Sequence, residues 1–219
     1  MKQDFEEVIS SPTRAYEEGL RFFEGEGMLN DTLKRLIADL ETHNIDYNVI
    51  GGVALNQHGY QRFTHDIDLL LSPDGLEIFR SELMGRGYRP AFGGALKTFR
   101  ATERNVPIEV ITTGEYPGDG KPKPVQFHDP REHFTVIDGV KTVTLPKLIE
   151  LKLASGMSSP GRLRDLADVQ ELIRIKQLDA TMVDNLDPSV REKYLELYEG
   201  VVQDLSQTNP FIEDAPKQN

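Results

Sequence analysis

The sequence predicts an α/β (α+β) fold: a mixed β-sheet core followed by a C-terminal helical region. Three observations carry this. Short apolar runs of strand type alternate with helix-period segments between residues 30 and 144. The strand signal stops at Pro146. From there on every apolar stretch has a helical period. The expected divisions are an N-terminal extension (1–27), a core (28–144), a C-terminal helical region (145–205) and a polar tail (206–219) expected to be mobile.

Residues 1–13 are polar and acidic and read as frayed chain or a short helix. Ala15 to Glu24 fits a helix carrying Leu20, Phe22 and Phe23, stopped by Gly25 and Gly27. Asn30 or Asp31 is placed to cap the next helix, whose Leu33, Leu36, Ile37 and Leu40 share a face. Tyr47 to Ile50 reads as a strand running into Gly51-Gly52, and Val53 to His58 as a short helix. Asp66 to Leu71 is a strand. Ser72-Pro73-Asp74 opens a helix with Leu76, Phe79, Leu83 and Met84 on one face. Leu96–Thr102 and Val106–Thr112 are further strands. Gly114 to Pro124 is rich in Gly and Pro and must be a loop. Asp138-Gly139 joins Phe134–Ile137 to Val140–Thr144 as a hairpin. Leu145–Ser155, Leu163–Ile175 and Arg191–Leu205 are helices.

Composition narrows the function. The 219 residues carry 25 Lys+Arg against 36 Asp+Glu, a formal charge of −11. That charge argues against broad, unspecific nucleic-acid binding. The absence of Cys excludes disulfide scaffolds, thiolate zinc sites and a Cys nucleophile, and fits a cytoplasmic protein. No apolar run reaches the ~18–20 residues of a membrane span, and MKQDFEEVIS lacks the form of a signal peptide.

The chemistry concentrates in His65-Asp66-Ile67-Asp68-Leu69-Leu70-Leu71. Alternation along a strand puts Asp66 and Asp68 on one face and Ile67, Leu69 and Leu71 on the other. Two close carboxylates need a shared proton or cation, and hard oxygen ligands suit Mg²⁺. Taken alone, Asp-x-Asp is a common pattern and fits an edge strand with two solvated carboxylates better than a metal site. Pro107-Ile108-Glu109-Val110-Ile111 is a second short strand with one acid. If it pairs beside the first, Glu109 joins Asp66 and Asp68 in the geometry that holds two Mg²⁺ about 3.5–4 Å apart for displacement at phosphorus. Otherwise Glu109 is an exposed position on an alternating strand. Gly51-Gly52 between strand and helix either admits a phosphate to the backbone or makes a plain tight turn.

The run Val49-Ile50-Gly51-Gly52-Val53-Ala54, followed by Arg62-Phe63-Thr64-His65-Asp66-Ile67-Asp68-Leu69, resembles the nucleotidyltransferase superfamily related to DNA polymerase β. It is most similar to two branches, the AbiEii-type toxins of toxin–antitoxin systems and the small aminoglycoside nucleotidyltransferases. The motifs cover roughly residues 46–112, with weaker similarity to about 175. The resemblance implies transfer of a nucleoside monophosphate from an NTP such as ATP to an acceptor hydroxyl. The acceptor would be RNA, including tRNA, or a small molecule such as an aminoglycoside. It implies Asp66 and Asp68 as ligands of two Mg²⁺ (or Mn²⁺), with Glu109 on the catalytic metal and taking the acceptor's proton. Glu109 stands where Asp is usual, and Gly52 where many members have Ser. Arg62 is expected to face the nucleotide phosphates, or else to be a surface Arg. His65 is read as packing or as a group that supports the ligands from behind, not as a ligand.

In the helical half, Lys152 sits on the apolar stripe formed with Leu148 and Ile149. It needs an anion, such as a triphosphate, or a route to water. Arg162, Asp165 and Asp168 form a polar column that fits intrahelical ion pairs. The resemblance places an Asp here near the nucleotide or the Lys, and Asp165 is preferred to Asp168. Arg80, Arg86, Arg89, Lys97, Arg100, Arg104, Lys121 and Lys123 line either an acceptor groove or an ordinary solvated face. Two functions follow. The first is a Mg²⁺-dependent nucleotidyltransferase, with a cognate antitoxin as partner if it belongs to the toxin branch. The second is a non-catalytic module of the same fold acting as an antitoxin or regulator. The presence of all three acids favours the first.

Overall fold

The structure is a computed structural model that describes residues 4–208. Seven strands form one mixed sheet: β1 (Tyr47–Val49), β2 (Ile67–Leu71), β3 (Tyr88–Pro90), β4 (Thr98–Ala101), β5 (Pro107–Thr112), β6 (Phe134–Ile137) and β7 (Val140–Val143), in spatial order β3-β4-β5-β2-β1-β7-β6. β2 runs parallel to β5 and antiparallel to β1, and β1 runs parallel to β7. β2, β5 and β1 therefore sit in the interior of the sheet, where position along the strand is set from both sides.

The helices are α1 (Phe5–Ser10), α2 (Pro12–Phe23), α3 (Gly27–Thr42), α4 (Gly51–Gln57), α5 (Pro73–Ile78), α6 (Leu145–Ser158), α7 (Leu163–Lys176) and α8 (Pro188–Thr208). A π turn, Phe79–Leu83, extends α5, and a 3₁₀ turn, Pro160–Arg162, precedes α7.

Two apolar cores cover the two faces of the sheet. Ile67, Leu69 and Leu71 of β2 enter the first with α3, α5 and β5. Leu70 enters the second with α6, α7 and α8. The strand alternates as its sequence requires, with one face wholly apolar. The other face carries Asp68 and then Leu70, so the helical region covers the same face of the sheet that bears the acids. Phe5, Val8 and Phe22 of α1 and α2 lie in the first core, so the N-terminal segment packs on the sheet.

Several boundaries differ from the sequence reading for local physical reasons. α3 begins at Gly27, so Asn30 and Asp31 do not cap it. The buried Glu18 carboxylate accepts the Met28 N–H instead, and Asn30 Nδ2 donates to the Phe22 and Glu26 carbonyls. A cap supplied from ten residues away leaves no local signature. β3 is only three residues long and ends in Pro90, too short to show a period. Met84, expected on the helix, already has extended backbone. α8 continues through Thr208, into the segment expected to be mobile, and residues 209–219 lie outside the described residues. The Asp138-Gly139 turn has positive φ at both positions (50° and 81°), as a two-residue hairpin of primed type requires. Among the described residues no helix is long and apolar enough to cross a membrane.

Leu70 ties the site-bearing strand to the helical region. Leu70→Ala is expected to lower unfolding free energy by about 2–5 kcal/mol, read as a fall in the urea midpoint with unchanged slope.

Candidate active site

The β2–β5 register sets Asp68 directly beside Glu109. Asp66 lies just before β2. Oxygen atoms of Asp66, Asp68 and Glu109 all come within 4.8 Å of one another, and the three could hold a metal ion. Asp66 and Asp68 are half-buried and Glu109 is exposed. The structure thus brings together the three acids that the sequence singled out. Their donor set, oxygen only, suits a hard divalent cation.

The electrostatics point the same way. Asp68 is pushed up to about 7 from its ordinary 3.8. Burial is the main cause, followed by the charges of Asp66 and Glu109; a Gly52 N–H bond and the Lys152 charge partly offset them. A carboxyl so placed is relieved by a proton at low pH or by a cation at high pH.

The glycine pair has a steric explanation. Gly51 has φ +62°, and a Cβ there would lie 1.8 Å from Asp68 Oδ2. A Cβ on Gly52 would lie 2.4 Å from Thr64 Oγ1. Thr64 Oγ1 in turn donates to Asp66 Oδ1 at 2.7 Å. Each glycine therefore makes room for one carboxylate, directly for Asp68 and through Thr64 for Asp66. Gly52 spends its N–H on Asp68 rather than on open space.

A cleft of about 640 Å³ opens beside the acids. Gly51, Asp68 and Glu109 form one wall, and Lys152, Ser155, Arg162 and Asp165 face it from α6 and the start of α7. Ile111, Phe127, Leu148 and Leu151 make an apolar floor, and Glu115 and Tyr116 stand in the loop that closes one side. The volume lies within the ~300–1,000 Å³ of small-molecule sites.

Lys152 is buried on the stripe predicted for it. Its anionic partners are within the protein: Asp165 Oδ1 at 3.0 Å and Asp168 Oδ2 at 2.7 Å. Asp165 also accepts from Ser155 Oγ at 2.6 Å and lies 3.8 Å from Arg162 Nη1. Burial alone would raise Asp165, but the Lys152 charge, the Ser155 and Lys152 hydrogen bonds and Arg162 together hold it below its ordinary value. Asp168 is 2% exposed and belongs to the interior.

Arg62 is not a wall of the cleft. Its Nε sits 3.5 Å from Asp168 Oδ1, and its backbone N–H and C=O are both bonded by the Asn56 amide. The guanidinium that reaches the cleft is Arg162. The sequence showed Arg162 only as one member of a polar column. Ser155 and Thr64 carried no separable signal, and Glu115 and Tyr116 lie in a loop without a period. His65 is exposed and stacks edge-on against Phe63, 5.3 Å between centroids, which agrees with a packing role. Most of the basic residues between 80 and 123 are engaged with acids: Arg86 with Glu82, Lys97 with Glu115, Arg100 with Glu6, Arg104 with Asp31 and Lys123 with Asp119. This is the pattern of a solvated face.

No family model matches the chain, and no curated protein matches it. Solved structures do. ANT(2'')-Ia in complex with adenylyl-2''-tobramycin shares 14% identity, with 80% of this chain and 97% of that chain covered and a TM-score of 0.49. A candidate nucleotidyltransferase from H. pylori shares 16% identity, with 84% and 96% covered and a TM-score of 0.44. JHP933 from Helicobacter pylori shares 14%, with 84% and 96% covered and a TM-score of 0.34. Likenesses at this level carry no chemistry to this chain. The chemistry has to come from its own side chains.

Two expectations test the site. Below the ordinary Asp pKa both folded and unfolded chains hold the Asp68 proton. As pH rises from about 4 to about 7 the unfolded chain releases it and the folded chain retains it, so metal-free stability falls across that window. Mg²⁺ favours the ionised carboxylates, so the melting temperature gained with Mg²⁺ should be larger at pH 8 than at pH 5; an equal gain at both would contradict the assignment. Gly51→Ala should cost more than about 1 kcal/mol and remove the Mg²⁺ effect. Gly85→Ala is the control, with φ +77° and open space around the new Cβ. It should bear only the backbone cost and keep the Mg²⁺ effect.

Proposed function

We propose that the protein is a Mg²⁺-dependent nucleotidyltransferase that moves a nucleoside monophosphate from an NTP to an acceptor hydroxyl. The observation that carries this is the meeting of Asp66, Asp68 and Glu109 within 4.8 Å at the edge of a cleft whose opposite wall carries Lys152 and Arg162. Acids on one wall and cations on the other suit a metal-bound polyphosphate, which presents both charges.

Asp66, Asp68 and Glu109 would hold the divalent ions, and Mg²⁺ fits their oxygen-only donor set. When bound, such ions withdraw charge from the phosphoryl oxygens and orient them. The chain's own residues do the rest. Lys152 and Arg162 neutralise the triphosphate and the pyrophosphate that leaves. Gly51 lines the cleft, and its missing side chain leaves room for the Asp68 carboxylate. Glu109 is the exposed acid of the three and the one placed to accept the proton of an incoming hydroxyl. Ile111, Phe127, Leu148 and Leu151 offer apolar surface to the rest of the nucleotide or to the acceptor.

The test is transfer of label from α-³²P-NTPs to total RNA, aminoglycosides or protein. Labelling should require Mg²⁺ and fall at least about a hundredfold in Asp68→Asn. Labelling indifferent to Asp68→Asn would refute the assignment. So would an absence of labelling with every acceptor together with no Mg²⁺-NTP binding.

A further inference from the structure

The cleft holds two cations suited to phosphate, and one carboxylate engages both. Asp165 Oδ1 is 3.0 Å from Lys152 Nζ, and Asp165 Oδ2 is 3.8 Å from Arg162 Nη1. Asp165 itself lines the cleft, where the triphosphate would sit. Two anions cannot share these cations without repulsion.

We propose that Asp165 is an internal stand-in for the polyphosphate: it occupies Lys152 and Arg162 in the ligand-free protein, and a bound triphosphate displaces it from both. This rests on the nucleotidyltransferase reading for the identity of the ligand, though not for the contacts.

The local structure allows the exchange. Asp165 stands in the first turn of α7, directly after the 3₁₀ turn Pro160–Arg162. The Arg162 side chain is 48% exposed and can swing, whereas Lys152 is buried. Lys152 keeps one carboxylate when Asp165 leaves, shared with Arg62. Asp168 lies 2.7 Å from Lys152 on the inner side and is 2% exposed. It stays behind when Asp165 leaves. Arg62 adds a further positive charge to the cluster, 3.5 Å from Asp168, and its Nε and Nη1 have no hydrogen-bond partner. Lys152, Arg162 and Arg62 thus face Asp165 and Asp168. Without Asp165 the cluster keeps three cations and one carboxylate, a stronger polyphosphate site. Asp165 therefore weakens nucleotide binding. In return the cations remain paired while the cleft is empty, and pyrophosphate is helped to leave.

The sign of one substitution decides the matter. The probe is inorganic tripolyphosphate without metal, with binding measured by calorimetry, and Mg²⁺-ATP in parallel. Asp165→Asn should bind tripolyphosphate on the order of tenfold more tightly than the parent chain, and the gain should shrink as salt is raised. Asp165→Glu, which keeps the charge, should stay near the parent value. Ser155→Ala, which removes the hydrogen bond to Asp165 and the one that Ser155 Oγ accepts from Arg162 Nη1 at 3.3 Å, loosens the hold on both partners and should shift affinity the same way by a smaller factor. It also keeps the test open if Asp165→Asn fails to fold, as a melting curve would show. Weaker or unchanged tripolyphosphate binding in folded Asp165→Asn, or in Ser155→Ala if the former is unfolded, overturns the proposal. A tripolyphosphate gain without Mg²⁺-ATP binding upholds the displaced contact and sinks the transferase reading alone.

Discussion

Everything in the site follows from forcing three carboxylates together at the edge of a closed apolar framework. Asp68 and Glu109 face each other on parallel strands that cannot slip, because both strands are interior to the sheet and their alternate residues fill the first core. A one-residue slip would put leucines in the cleft and acids in the core. The repulsion among the acids is therefore borne by the protein rather than relieved by rearrangement. It adds to the larger effect of burial in holding the Asp68 carboxyl up to about 7. Stored in this way, the repulsion becomes affinity for whatever positive charge enters.

The second half of the site is built on the opposite principle. Lys152 and Arg162 are paired with Asp165 and Asp168, and these close contacts offset the cost of burial. The first wall is charged and under-compensated, while the second is charged and paired. A polyphosphate carrying metal ions fits both: its cations meet the first wall and its oxygens compete for the second. The two walls belong to different elements, the acids to β2 and β5 and the cations to α6 and the turn before α7. Leu70, one position past Asp68 on the same face, joins them.

The glycines show how backbone and chemistry were fitted together. Gly51 and Gly52 look like a phosphate-binding hinge in the sequence, and that reading is not needed to explain them. Asp68 and Thr64 already fill the space that any side chain there would take. The missing side chains at this turn leave room for the Asp68 carboxylate and for Thr64, which bonds Asp66.

The sequence by itself determined the periodic features. The Asp66/Asp68 face, the apolar reverse face of β2, the hairpin at Asp138-Gly139, the helical second half and Lys152 on a buried stripe all follow from two- and 3.6-residue alternation, which is local and legible. Tertiary structure decided everything that depends on which segments meet. It paired β5 with β2, which sets Glu109, still exposed, beside Asp68 in the acid group. It turned Arg62 inward to Asp168 and sent Arg162 to the cleft in its place. It gave Lys152 two carboxylates from α7 as partners. It also capped α3 from Glu18, ten residues before Met28. None of these leaves a trace in spacing, because each is settled by the packing of elements distant in the chain, where burial of apolar area outweighs any local preference of a single charged side chain.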